Sequence, residues 1–241
     1  MGRGPASDAP VLAAEGLTKR FGGLKAVDGM SLTLEKGEIV GVIGPNGAGK
    51  TTLFNLLAGA LAPDTGRILI AGEPVTKLPA EARCTMGLVR TFQIPKPFAD
   101  MTVLENTMVA GQEQAGETMI GALLSPFSVR RQDRALAKKA AEILEFLGLT
   151  RVKDDAASTL SGGQRKLLEL ARAMIADPDI LLLDEPAAGV NPALMEFIMS
   201  RVEEINGDGV TVLLIEHNMS VVERLCRRVI AMAEGRHLTE G

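Results

Sequence analysis

The sequence predicts an α/β fold in which a largely parallel sheet is covered by helices and a helical stretch is inserted in mid-chain. Three observations carry this expectation. β-like runs separated by Gly and Pro fill the first third, apolar residues change to helical spacing after about Met101, and the last third alternates strand-like with helix-like segments. At 241 residues, 46% of them apolar, the chain can bury a sizeable core, and 26 Lys+Arg against 30 Asp+Glu leave a net charge of −4. A wholly disordered chain is thereby excluded.

From the start, Met1 to Pro10 is built of small residues, Asp and one Arg; it lacks the apolar centre of a secretory signal and reads as a flexible tail over residues 1–10. The β-like runs are Val11 to Ala14, Ser31 to Leu34, Ile39 to Ile43 and Arg67 to Ile70. Helical spacing then joins Val103, Leu104, Thr107 and Met108, and again Leu136, Ala140, Ile143, Leu144 and Leu147, with Gly148 as a stop signal. Between them, Gly116 to Val129 is dense in Gly, Pro and Ser and is expected to be mobile. The basic cluster Arg130, Arg131, Arg134, Lys138 and Lys139 is interleaved with Asp133, Glu142 and Glu145, so it reads as a solvated helix face rather than a lipid-headgroup patch.

The last third offers strand Ile180 to Asp184, a helix marked by Leu194, Ile198, Val202 and Ile205, strand Thr211 to Ile215, helix Met219 to Leu225 and strand Val229 to Ala233. No run approaches the roughly 18 apolar residues of a membrane-spanning helix. Cys84 and Cys226 lie far apart without metal-like spacing and read as buried, reduced thiols, which suggests a cytosolic address. An acidic chain without Trp or Tyr, and with seven Phe, argues against nucleic acid as a partner.

Ile39 to Ile43 leads directly into Gly44, Pro45, Asn46, Gly47, Ala48, Gly49, Lys50, Thr51 and Thr52, followed by helical Leu53, Leu56 and Leu57. This is the Walker A pattern in its context of strand, glycine loop and helix. Glycines let successive N–H groups turn inward, and the helix adds the positive end of its dipole, so a polyphosphate fits there. Lys50 would neutralise the β and γ phosphates and the Thr51 hydroxyl would ligate Mg²⁺. Ile180 to Leu183 delivers Asp184 and Glu185 at a strand end; Asp184 suits the Mg²⁺ shell and Glu185 can polarise the attacking water as general base.

Leu160, Ser161, Gly162, Gly163 and Gln164 form a capping box, with Ser161 as N-cap and Gln164 at the third helical position, ahead of Leu167, Leu168, Ala171, Met174 and Ile175. Capping alone does not account for two glycines in the first turn, each costing roughly 1 kcal/mol relative to Ala. Bare backbone at a helix N-terminus suits a second anion contact.

With these motifs the chain resembles the ATP-binding cassette family, the nucleotide-binding subunits of ABC transporters, from about Val11 to Glu234. The resemblance implies a P-loop NTPase of that type: one domain over residues 11–241, a mixed sheet core with an antiparallel β part, and a helical subdomain inserted at about 94–176. It implies ATP and Mg²⁺ as ligands, and a head-to-tail pair in which Ser161 to Gln164 of one chain meet the γ-phosphate held by the other chain's Walker A loop. It places an adenine-stacking aromatic at Phe21 and a glutamine touching Mg²⁺ and the attacking water at Gln93, within Arg90-Thr91-Phe92-Gln93. A γ-phosphate-contacting switch histidine falls at His217. Asn191, before Pro192, reads as an N-cap with Pro at the first helical position, where the family more often has Asp.

Val89 to Gln93, Met101 to Asn106 and Asp184 to Pro192 are worded like the subunits of importers for branched-chain and other hydrophobic amino acids, with urea, amide and lipopolysaccharide branches sharing parts of the wording. The implied partners are transmembrane permease subunits, a second ATP-binding subunit and, indirectly, a solute-binding protein; the implied location is the cytoplasmic face of the cell membrane. A soluble DNA-repair-type ATPase with the same engine is disfavoured, because Gln93 to Ser161 spans 161 − 93 = 68 positions, too few for long coiled coils, and holds no Cys pair for zinc. A GTPase is disfavoured because no Asn is followed by Lys.

Overall fold

The computed structural model describes residues 9–91, 97–111 and 126–241, with backbone alone over 126–130. Residues 1–8 of the tail, Gln93 and most of Gly116 to Val129 therefore lie outside the described residues. Strands form two sheets. β1 (Leu12–Phe21), β2 (Leu24–Leu34), β4 (Thr65–Ile70) and β5 (Glu73–Pro74) pair antiparallel in the order β2-β1-β4-β5. The second sheet runs β10-β9-β3-β8-β7-β6, from β3 (Ile39–Ile43), β6 (Leu88–Arg90), β7 (Ile180–Asp184), β8 (Thr211–Ile215), β9 (Arg228–Ala233) and β10 (Arg236–Glu240). It is parallel except where β10 turns back on β9.

The apolar runs of the second sheet are buried on both faces, and period-two alternation sorts them into two cores. Leu181, Leu183, Val212 and Leu214 face one, whereas Ile180, Leu182, Leu213 and Ile215 face the other. The second core also takes Leu53, Phe54, Leu56 and Leu57 from α1 (Lys50–Leu57) and the inner residues of the antiparallel sheet, such as Leu17, Met30 and Ile68. The helix after the glycine loop is thus clamped between two sheets. Its far end is held by Arg83, from α2 (Ala80–Thr85), whose fully buried guanidinium donates to the carbonyls of Leu56 (2.6 Å), Leu57 (2.7 Å), Leu78 (3.1 Å) and Thr76 (3.1 Å).

The first core gathers the inserted helices α3 (Val103–Val109), α4 (Pro126–Phe146) and α5 (Gly162–Met174), together with α6 (Pro192–Gly207) and α7 (Met219–Leu225). Helix α3 starts on a capping box between Thr102 and Glu105. Helix α4 stops at Gly148, φ 69°, with Leu149 N–H reaching back to the Leu144 carbonyl at 2.7 Å. Of the basic cluster, Lys138 pairs with Glu142, while Lys139 crosses to the Ile175 carbonyl and Asp177 and fastens α4 to the end of α5. Lys139 is therefore a tertiary contact as well as part of a solvated face.

Expected and observed strands agree at Ile39 to Ile43, Ile180 to Asp184 and Thr211 to Ile215. β1 and β2 are much longer than the runs Val11 to Ala14 and Ser31 to Leu34. β1 passes through a register shift at Gly16 (φ 59°) into the polar, solvent-facing Thr18 to Arg20, where apolar alternation fades but ladder bonds persist.

Candidate nucleotide site

The site is assembled where β3 ends. At Gly44 (φ 150°) an added Cβ would lie 2.2 Å from the Met232 carbonyl oxygen, and at Gly49 (φ 97°) one would lie 2.1 Å from that of Ala26. Only glycine fits at either point, so backbone from β9 and β2 moulds the loop from both sides. Helix α1 starts at Lys50 without a side-chain cap or an acidic residue in its first turn, which leaves its first N–H groups to an anion. The Lys50 ammonium is buried and donates to the Gly44 (2.7 Å) and Pro45 (3.0 Å) carbonyls. Burial pulls its pKa down, against the charges of Glu185 and Asp184.

A cleft of about 670 Å³ opens over this loop, lined by Asn46 to Thr52, by Phe21 and Lys25 from the β1–β2 hairpin, and by Glu185 and His217. The Phe21 ring is 50% exposed, unlike a core aromatic, with the Lys19 ammonium 6.0 Å from its centroid. Glu185 follows β7 with φ 49°, a left-handed conformation rare for a non-glycine residue; its N–H donates to the Ile215 carbonyl of β8 at 2.9 Å. Its carboxylate Oε1 is 2.8 Å from His217 Nε2. The structure thus brings together Phe21, the whole glycine loop, Lys50, Thr51, Thr52, Glu185 and His217.

Asp184 is buried behind that surface. Its Oδ2 accepts from Arg90 Nη2 at 2.8 Å, and its Oδ1 is a buried acceptor with no hydrogen-bond partner among the described residues. An orphaned carboxylate oxygen and a threonine hydroxyl beside a phosphate cradle suit Mg²⁺, which takes one or two protein ligands plus phosphate oxygens.

The signature residues lie elsewhere in the chain. Ser161 and Gln164 complete the capping box, Gln164 N–H to Ser161 Oγ at 3.3 Å and Ser161 N–H to Gln164 Oε1 at 2.9 Å. Gly162 lines a second cleft with Lys166, Gly189 and Val190, which shares no residue with the first. A Cβ at Gly162 would meet nothing within 4 Å, whereas one at Gly163 would lie 2.1 Å from a Leu194 methyl. One glycine keeps backbone open to the cleft; the other lets α5 pack on α6. Asn191 caps α6 through Leu194 N–H at 2.9 Å, with Pro192 at its first position.

Three residues that sequence reasoning passed over also shape the site. Arg90 holds Asp184 and also donates to Asn55 Oδ1 at 2.5 Å. Buried Glu216 accepts from the N–H groups of Ala187, His217 and Asn218, tying the loops after β7 and β8 together. The Lys166 ammonium donates to the Glu185 carbonyl at 2.7 Å. Arg90 lies within the motif that ends at Gln93 and Glu216 stands just before His217, but charge type alone does not reveal a buried clamp.

Comparison with known proteins follows the same lines. The profile of the family described as "ABC transporter" matches residues 27–188. The chain is 41% identical over 231 residues to a probable branched-chain amino acid transport ATP-binding protein LivG of Archaeoglobus fulgidus, covering 96% of this chain and 89% of that one. It is 42% identical over 233 residues to the high-affinity branched-chain amino acid transport ATP-binding protein LivG of Escherichia coli K12, covering 96% and 91%. Among solved structures, the ADP conformation of an ATP-binding cassette of an ABC transporter superposes with a TM-score of 0.82 at 38% identity, covering 96% of this chain and 91% of that one.

Proposed function

This chain belongs to the ABC transporter family, and from that premise we propose that it is the ATP-hydrolysing subunit of an importer for branched-chain or other hydrophobic amino acids. It works as one of a pair, on the cytoplasmic face of the membrane, with permease subunits and an associated solute-binding protein. The names of its relatives support the solute class. No helix among the described residues is long and apolar enough to cross a membrane, so the reading assigns the passage itself to partner chains. The observation that carries the paired reading is the separation of two phosphate-suited surfaces: the Walker A cleft and the open backbone at Gly162 share no lining residue.

In this reading Phe21 stacks on adenine, while the N–H groups of the loop and α1, with Lys50, hold the β and γ phosphates. Glu185, oriented by His217, accepts a proton from water as the water oxygen bonds to the γ-phosphorus and the bond to the β–γ bridging oxygen breaks, leaving ADP and phosphate. Thr51 and Asp184, with Gln93, would hold Mg²⁺, which when bound supplies charge neutralisation at the phosphates. Ser161 to Gln164 of the second chain close the γ-phosphate side.

The test has two arms. ATPase rate per molecule should rise with concentration of the purified chain, and a rate flat across dilution overturns the pair. Cells lacking the chain should lose uptake of labelled leucine and keep uptake of labelled urea; the reverse overturns the solute class.

A further inference from the structure

Lys166 stands one turn inside α5, the helix that begins with the signature residues, and its ammonium reaches the backbone carbonyl of Glu185 at 2.7 Å. That carbonyl belongs to a peptide under unusual constraint. Glu185 is left-handed at φ 49°, its N–H is fixed to Ile215 of β8, and its carbonyl also accepts from Ala188 N–H at 3.1 Å. Lys166 is thus a contact from α5 on a residue whose backbone angle aims the carboxylate at His217.

Its charge is placed at a cost. Burial lowers the Lys166 pKa, and Glu216, Glu185 and Asp184 are the negative groups that oppose this. Lys166 and Asp184 also border a small cavity of about 20 Å³ between α5, β7 and α6. A half-buried ammonium held against a carbonyl is a charge-assisted bond, stronger than a neutral one. At the head of the same helix, Gly163 packs so closely on Leu194 at the start of α6 that a Cβ there would lie 2.1 Å from a Leu194 methyl. Direct contacts therefore join α5 to the start of α6 at Gly163 and to the Glu185 peptide through Lys166.

Resting on the paired reading above, we propose that Lys166 is a positioning residue that ties the aim of Glu185 to the seat of the α5 N-terminus, so that nucleotide contacted by a chain's signature sets the general base of that chain's own site. The two hydrolytic sites of a pair are thereby coupled through each chain.

The test uses the full chain with Mg·ATP and compares wild type, Glu185→Gln, Lys166→Met and Lys166→Arg. Lys166→Met keeps the aliphatic stem and removes the ammonium. It should lower kcat about tenfold or more, with ATP KM changed less than about twofold and the Hill coefficient for ATP falling towards one. ATP-driven pairing in the Glu185→Gln background should survive Lys166→Met, and Lys166→Arg should regain most of the lost rate. Unchanged kcat in Lys166→Met, a kcat loss matched by a KM rise, or no recovery with Lys166→Arg overturns the proposal. Should Lys166→Met fail to fold by circular dichroism, a folded Lys166→Gln with wild-type kcat overturns it equally. Active wild type and silent Glu185→Gln leave the paired ATPase standing, so a flat Lys166 series then sinks this inference alone; an inactive wild type sinks both.

Discussion

His217 Nε2 and Glu185 Oε1 lie 2.8 Å apart within one chain, a contact that joins the loops after β8 and β7 across the cleft floor. The imidazole is thereby placed to hold the carboxylate in one orientation. Glu185→Gln should keep Mg·ATP binding, lose at least about a hundredfold in turnover and accumulate pairs with ATP. Size-exclusion chromatography with ATP checks this, and a monomer peak under those conditions contradicts it.

Lys50 is the one cationic side chain that the loop itself delivers to the cleft, held by the Gly44 and Pro45 carbonyls. Lys50→Ala should weaken ATP binding by about tenfold or more, read by titration with a fluorescent nucleotide. Unchanged affinity would mean that the loop does not receive the phosphates.

The two signature glycines should separate. Gly162→Ala adds a methyl where nothing lies within 4 Å and so tests the open backbone alone; Gly163→Ala must also displace Leu194. Gly162→Ala should leave ATP affinity and melting temperature near wild type and suppress hydrolysis. Gly163→Ala should lower the melting temperature as well. Normal turnover in Gly162→Ala would reduce the motif to a helix cap.

Arg83 satisfies four carbonyls, and burial lowers its pKa. Arg83→Met fills a similar volume but takes the guanidinium donor from the Leu57 carbonyl and leaves the Leu56 carbonyl with the Gly59 N–H alone at the end of α1. The expected loss is about 3 kcal/mol, seen as a fall of roughly 6 °C or more in melting temperature by calorimetry. A fall under about 2 °C would mean that those carbonyls find other donors.

The Cys226 thiol is pushed up to about 11 by burial and then by the charge of Glu216. Its folded pKa lies above the ordinary 9.0, so its contribution to stability is present below pH 9 and is lost between pH 9 and about 11 as the thiolate forms. At pH 8 its thiolate fraction should be about a hundredfold below that of the unfolded chain. Ellman titration of Cys84→Ser protein, native against denatured, measures it, and equal labelling rates would contradict the burial.

What was legible beforehand follows from what sequence encodes locally. Ile180 to Asp184 and Thr211 to Ile215 are uninterrupted apolar runs between turn signals, so both strand bounds were readable. Thr18 to Arg20 continue β1 through ladder bonds that composition does not record, and β6 and β10 are short or polar edge strands with no apolar alternation. The same division holds at the site. The glycine loop, Asp184 and Glu185 are contiguous motifs, whereas the bond from Lys166 to the Glu185 carbonyl joins positions 19 apart, and that from Arg90 to Asp184 joins positions 94 apart. Clamps of this kind, whether to a backbone carbonyl or to a carboxylate, carry no spacing rule.

The carbonyls of Met232 and Ala26 stand where side chains of Gly44 and Gly49 would otherwise project. The receptacle for the triphosphate is accordingly a cast taken from two unrelated ribbons of polypeptide. A slip in how those ribbons dock would deform the mould without altering a single letter of the motif, so damage at a distant seam would masquerade as a binding defect.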